Sequence, residues 1–566
     1  MSSPQLNFLK RFAFPLCSFA ILGVVFTLSQ QRYAPRGNPS SPKAEPEIVA
    51  QTPAIAAASS SIGTNLAGIA DWSTALPFVD IFRSSRPWVI KDGVAQLDDN
   101  GWVKSLSSGA RAETIMNILA DGISYPYPGG RYLVLYEGEG TLSYGLDAVK
   151  DINASRPGRE VIQVTPRHAI QLFLSATNPQ NYLRNIRIIP LAAEKTYQSQ
   201  PFNPQYLERL KPFQSLRFMD WMETNNSKQK EWAQRPTLNS ATWQALGAPV
   251  EIMVQLANQT GKDPWFCMPH QATDEYVRNF ATYVRDHLDP RLQVYVEYSN
   301  EVWNYGFGQA GWVLQQGKAT WPNTFQSDYE RQIQWFSRRT TQIVQIWEQV
   351  FGDRRQKVIG VMAWQAAGVW GAQQALKYSW SSAKPESERS AHRFYGIDAV
   401  AIAPYFGYSL GDIKNESTLN QWAREGEGGI EKIFRELNLG GLLPQTYKGG
   451  ALQESRDWIA AYQKLTQAQG LELLAYEGGQ HLAVSPVLHN NTQIVNLFIE
   501  ANRDFRMGIA YRQHLKDWRQ LGGGLFMHYN DISVSSKFGS WGALEHVRQP
   551  TSAKYDALLQ VIRGQP

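Results

Sequence analysis

Cysteine is almost absent from this sequence. Of 566 residues only Cys17 and Cys267 carry a thiol, and Cys17 lies in an N-terminal apolar run. No intramolecular disulfide and no cysteine-based metal site is expected. The nine histidines show neither HExxH nor another recognisable ligand spacing, so no metal and no cofactor is implied. Charge of one sign is also lacking. The formal net charge is +5, and the Lys and Arg residues are scattered rather than gathered on one face, which makes nucleic acid a poor partner. What the chain has instead is apolar and aromatic content: 43% hydrophobic and 12% aromatic residues with 19 Trp, enough for a large globular body. Its length predicts two domains or one large barrel with additions. Many flat rings suit clefts that stack on sugar faces, although Trp also fills large cores.

A long apolar run occurs once. Lys10 and Arg11 precede the formally uncharged stretch from Phe12 to Leu28, and Arg32 follows it. Residues 1–32 are expected to be a signal anchor or signal peptide, the anchor being favoured because no small-x-small cleavage site follows. Basic residues before the run place the remainder outside the cytoplasm: periplasmic, on the cell surface or secreted. Residues 33–61 are rich in Pro, Ser and Ala and predict a tether with little to bury. The oligomeric state is not legible.

From Gly63 onward apolar strands alternate with amphipathic helices. Strands are predicted at 63–69, 215–221 (SLRFMDW), 250–256 (VEIMVQL), 292–300 (LQVYVEYSN), 358–364, 397–406, 471–479 and 523–530. Helices are predicted near 274–288, 329–350 and 455–469. Eight such strands with crossover helices describe an α/β protein of (β/α)8 TIM-barrel architecture. Residues 88–192 instead show short alternating runs broken by turns, such as RYLVLYEGEG and AIQLFLSA, the texture of an antiparallel β-sandwich. The expected organisation is therefore a first strand and loop at 62–87, an inserted β-rich domain at 88–192 and the remainder of the barrel at 193–566.

A barrel of this kind presents its reactive groups at the carboxyl ends of its strands. Asp220 and Trp221 follow the second predicted strand, Asn258 the third, Asn300 and Glu301 the fourth, and Trp364 the fifth. Tyr405 ends the sixth, Glu477 the seventh, and His528 the eighth. Two carboxylates stand out, Glu301 and Glu477, from strands on opposite sides of the mouth. Their plainer alternative is capping of the helix after each strand. Glu297, four residues before Glu301, cannot oppose it across a sugar and is expected to support it.

The spelling E-x-x-N-E at Glu297–Glu301, the strand-end Glu477 and RFMDW at 217–221 together resemble the clan A glycoside hydrolases, the 4/7 superfamily of retaining glycosidases. The resemblance covers roughly residues 62–85 and 205–546. It implies that Glu301 is the general acid and base, that Glu477 is the nucleophile, that Asn300 bonds the sugar 2-hydroxyl and that Arg217 keeps Glu477 charged. Such chemistry asks for carboxyl groups about 5–5.5 Å apart. Trp303, Trp221, Trp364 and Trp541 are candidate sugar platforms, and Tyr405 and His528 candidate contacts to the nucleophile or sugar. The expected activity is hydrolysis of an extracellular or envelope polysaccharide, a β-glucan such as cellulose among the candidates. The alternative is a noncatalytic polysaccharide-binding protein on the same barrel.

Overall fold

The computed structural model describes residues 61–119, 127–325, 327–377, 392–444 and 447–565. The anchor expected at 1–32 and nearly all of the tether lie outside these residues. Among the described residues no helix is long and apolar enough to cross a membrane.

Eight strands close into a barrel in chain order: Ile62–Asn65, Ser215–Arg217, Asp263–Met268, Val294–Tyr298, Val358–Ala363, Ile397–Ile402, Glu472–Ala475 and Phe526–His528. Every neighbouring pair is parallel, including the closure of first on last through Ile62 and Phe526. Parallel neighbours need crossovers. Helices such as Asp274–His287, Asp328–Phe351 and Gly450–Gln469 supply them. The second of these starts at a capping box in which Ser327 and Glu330 bond each other's backbone N–H, as the sequence S-x-x-E encodes.

Strand alternation divides the barrel residues into two sets. Met219, Trp265, Cys267, Tyr295, Val361, Ala399, Ala401 and Leu474 pack together inside the barrel. Their neighbours Leu216, Phe218, Phe266, Val296 and Val400 pack outward with the helices. Gly63 is required where the first strand passes the last, because a Cβ there would sit 2.3 Å from Met527 Sδ.

The third strand corrects the sequence reading. VEIMVQL belongs to the helix Val250–Thr260, which starts after Pro249 and stops at Gly261 with φ 64°, an αL stop that glycine adopts at no steric cost. The strand is the next apolar run, Asp263–Met268. Asn258, expected at a strand end, is a helical residue whose amide bonds His287 O at 2.8 Å. Buried apolar positions 250, 252, 253, 254, 256 and 257 satisfy helix and strand patterns alike, which is why periodicity alone misassigned them.

Between the first and second barrel strands lie two antiparallel four-stranded sheets. One contains Arg111–Met116 and Ile170–Thr177, the other Gly130–Glu137 and Arg159–Val164. Ala112, Ile170 and Leu172 of the first pack with Val134, Ile162 and Ile188 of the second in one core. This is the β-rich texture seen at 88–192.

Candidate active site

Alternation puts Arg217 on the inward face of the second strand, where its side chain is fully buried. A buried guanidinium must be paired and hydrogen-bonded, and it uses every edge. Its Nε donates to Glu297 Oε2 at 3.0 Å, and its Nη2 to both Glu297 oxygens at 2.9 and 3.1 Å. Its Nη1 donates to Glu477 Oε1 at 2.8 Å and to Asn65 Oδ1 at 2.9 Å, while Nη2 also reaches Asn300 Oδ1 at 2.9 Å. One cation thus joins the ends of strands one, two, four and seven. Trp265 Nε1, from the third strand, donates to Glu297 Oε2 at 2.8 Å and completes the cradle beneath the mouth.

Glu477 and Glu301 differ in their partners. Glu477 accepts from Arg217 on Oε1 and from the Tyr405 hydroxyl on Oε2 at 3.0 Å. Glu301 accepts from two neutral donors, the Tyr476 hydroxyl at 3.2 Å and Asn304 Nδ2 at 2.9 Å. Burial raises the pKa of both carboxyls. At Glu301 the negative charge of Glu477 adds to burial and pushes it to about 8. At Glu477 the Arg217 charge and hydrogen bond oppose burial. Glu477 therefore gives up its proton more readily than Glu301. Glu301 and Ser299 have positive φ of 44° and 59°, a strained backbone at the strand end of the kind found at functional sites.

No protein-family model matches the chain, and no curated protein does. Solved structures similar to it include glycosidases. A 4-O-α-L-rhamnosyl-β-D-glucuronidase from Fusarium oxysporum is 10% identical, the match covering 65% of this chain and 66% of that one with a TM-score of 0.32. A broad-specificity endoglucanase from Clostridium acetobutylicum is 11% identical, covering 64% and 89%, TM-score 0.33. A family 1 β-glucosidase from Thermotoga maritima is 10% identical, covering 66% and 87%, TM-score 0.34. Likenesses this distant add no detail, and the chemistry is read from the closed barrel and the residues at its mouth.

The other candidates separate into two groups. Tyr405 touches Glu477, and its ring meets Trp541 at 5.9 Å and His481 at 5.5 Å, so Trp541 stands behind Tyr405. Asn300 joins the network through Arg217 and through its Nδ2 bond to Asn225 Oδ1 at 3.1 Å. Trp221 is fully buried, donates to Ala67 O at 3.0 Å and packs against Phe78 and Tyr206, leaving no face for a sugar. Trp364 is likewise core, 1% exposed against Phe336. Trp303 is half-buried and packs on the helix–barrel core. His528 is fully buried, bonds the Tyr511 hydroxyl at 3.1 Å, and burial lowers its pKa to about 3, so it is a neutral support under the site.

Three neighbours were not named as candidates from the sequence: Asn65, Tyr476 and Asn304. Tyr476 and Asn304 carried a signal, one directly preceding Glu477 and the other three residues after Glu301. Asp220 accepts from the Tyr529 hydroxyl at 3.3 Å, and burial with the charge of Glu477 raises it to about 7. Among the described residues no group of His, Cys, Asp and Glu could hold a metal ion.

Proposed function

We propose that this chain is a retaining glycoside hydrolase that cleaves an extracytoplasmic polysaccharide, with β-glucans such as cellulose the first substrates to try. The observation that carries the reading is the unequal pair: Glu477 bonded to Arg217 and Tyr405, Glu301 bonded only to neutral donors and pushed to about 8. Retention needs this division, an ionised nucleophile and a protonated acid.

In the first step a Glu477 oxygen forms a bond to the anomeric carbon as the bond from that carbon to the leaving oxygen breaks. Glu301 gives its proton to that oxygen. In the second step Glu301, now a carboxylate, takes a proton from water. The resulting oxygen nucleophile replaces Glu477 at the anomeric carbon, and both groups return to their starting states. Two inversions leave the configuration retained. In this reading an amide hydrogen of Asn300 bonds the sugar 2-hydroxyl. Lys10 and Arg11 before the apolar run 12–28 support the location.

A hydrolysis screen on soluble β-glucans, with Glu301→Gln and Glu477→Gln as controls, tests this. Release of reducing ends by the wild type, with both variants strongly impaired, is expected. Binding with no turnover by the wild type would favour the noncatalytic alternative and sink the enzyme reading.

A further inference from the structure

Large exposed rings gather on one side of the barrel mouth and are not used by the mechanism above. Tyr305 lies four residues beyond Glu301, Tyr329 in the first turn of the helix Asp328–Phe351, and Trp370 in the helix after the fifth strand. In a parallel barrel the loop after a strand and the start of the next helix share the carboxyl-terminal face, so all three stand at the mouth between strands four and five. They are 52%, 38% and 47% exposed. Tyr329 and Trp370 stack with ring centroids 6.0 Å apart and planes 17° from parallel. The Tyr305 hydroxyl bonds Gln332, one turn along the helix from Tyr329, which ties the third ring to the start of the same helix. Single exposed apolar residues need no explanation, but exposed rings grouped at a site mouth mark a binding surface.

Direction comes from the chemistry of the pair. A carboxyl that protonates the leaving oxygen touches that oxygen, so the leaving group lies on the Glu301 side of the scissile bond. The opposite side holds a second set of rings beside Glu477: Tyr405, Trp541, and the 45% exposed Tyr408, the last two packed on His481 at 4.8 and 4.9 Å. We propose that Tyr305, Tyr329 and Trp370 form a stacking platform for pyranose rings of the leaving group, so that the substrate is a chain crossing the mouth and is cut internally. This rests on the glycosidase reading and adds the mode of attack. A flat ring face offers apolar contact to the axial C–H face of a pyranose while leaving its hydroxyls in water. A β-1,4-linked chain presents such faces repeatedly.

The test compares two substrates on one preparation of the full chain. Hexasaccharides of β-1,4-glucan, β-1,3-glucan, β-1,4-xylan and β-1,4-galactan are measured beside 4-nitrophenyl glycosides of the same sugars, which place no sugar on the leaving side. Trp370→Ala is expected to lower the ratio of kcat/KM on the hexasaccharide to that on the aryl glycoside about ten-fold, roughly 1.4 kcal/mol of transition-state binding. Trp370→Phe should restore most of it. Because the ratio is taken within one preparation, any misfolded fraction cancels. Wild-type turnover with an unchanged ratio overturns the platform and leaves the glycosidase reading standing. No turnover of any substrate overturns both.

Discussion

Removing one oxygen from the site isolates the support given to Glu477. The Tyr405 hydroxyl donates to Glu477 Oε2 at 3.0 Å, and Tyr405→Phe deletes that donor while keeping the ring that meets Trp541 and His481. A hydrogen bond to a charged group contributes about 1.5–3 kcal/mol, and a pKa unit corresponds to about 1.36 kcal/mol. The donor favours the carboxylate over the acid, so its loss raises the pKa of Glu477 by about one to two units. In a profile of kcat/KM against pH, activity rises as Glu477 loses its proton and falls as Glu301 loses its own near its value of about 8. Tyr405→Phe should move the acid limb up by that amount and narrow the active range from below. At pH values under both limbs, kcat/KM should drop about ten- to a hundred-fold. An acid limb that does not move, or a shift confined to the basic limb, would refute the assignment of Glu477 as the group that must be ionised.

Other outcomes are expected from the same contacts. Glu301→Gln should lower kcat/KM on oligosaccharides by about 10²–10⁴, the usual reach of general acid–base catalysis, and by less on 4-nitrophenyl glycosides, whose leaving group departs with little protonation. The same variant tests linkage: Glu301 has a folded pKa raised to about 8, so its favourable contribution is complete below its unfolded value and is lost as pH rises through the folded one. Thermal melts should therefore show Glu301→Gln gaining stability relative to wild type between about pH 5 and about pH 9; a constant difference would contradict the buried, uncompensated carboxyl. Trp221→Ala, at a fully buried core position, should cost about 3–5 kcal/mol in denaturant unfolding, an effect on stability rather than on sugar binding.

Much of this architecture is legible in the sequence because barrel strands are short apolar runs set between amphipathic helices. That rhythm placed Glu301 and Glu477 at the fourth and seventh strand ends, where Arg217 and Tyr405 bond Glu477, and Tyr476, its neighbour in the chain, bonds Glu301. The third strand was lost because VEIMVQL is apolar on enough positions to fit either period, and only Pro249 and Gly261 mark it as a helix. The aromatic candidates were sorted poorly for a related reason. Composition cannot tell Trp221, closed in among Phe78, Tyr206 and Phe218, from Trp370, nearly half exposed. The difference is set by packing between segments far apart in the chain. Asn65 was hidden likewise, since it joins the site only through partners on other strands.

The central claim is that Glu477 forms a covalent bond to the sugar while Glu301 exchanges the proton. Incubation with a 2-fluoro β-glycoside carrying a good leaving group slows breakdown of such an intermediate, and peptide mass spectrometry locates it. The account predicts a glycosyl adduct on the peptide containing Glu477, absent from Glu477→Gln. Turnover of β-glycosides with no adduct and release of the inverted anomer would contradict it.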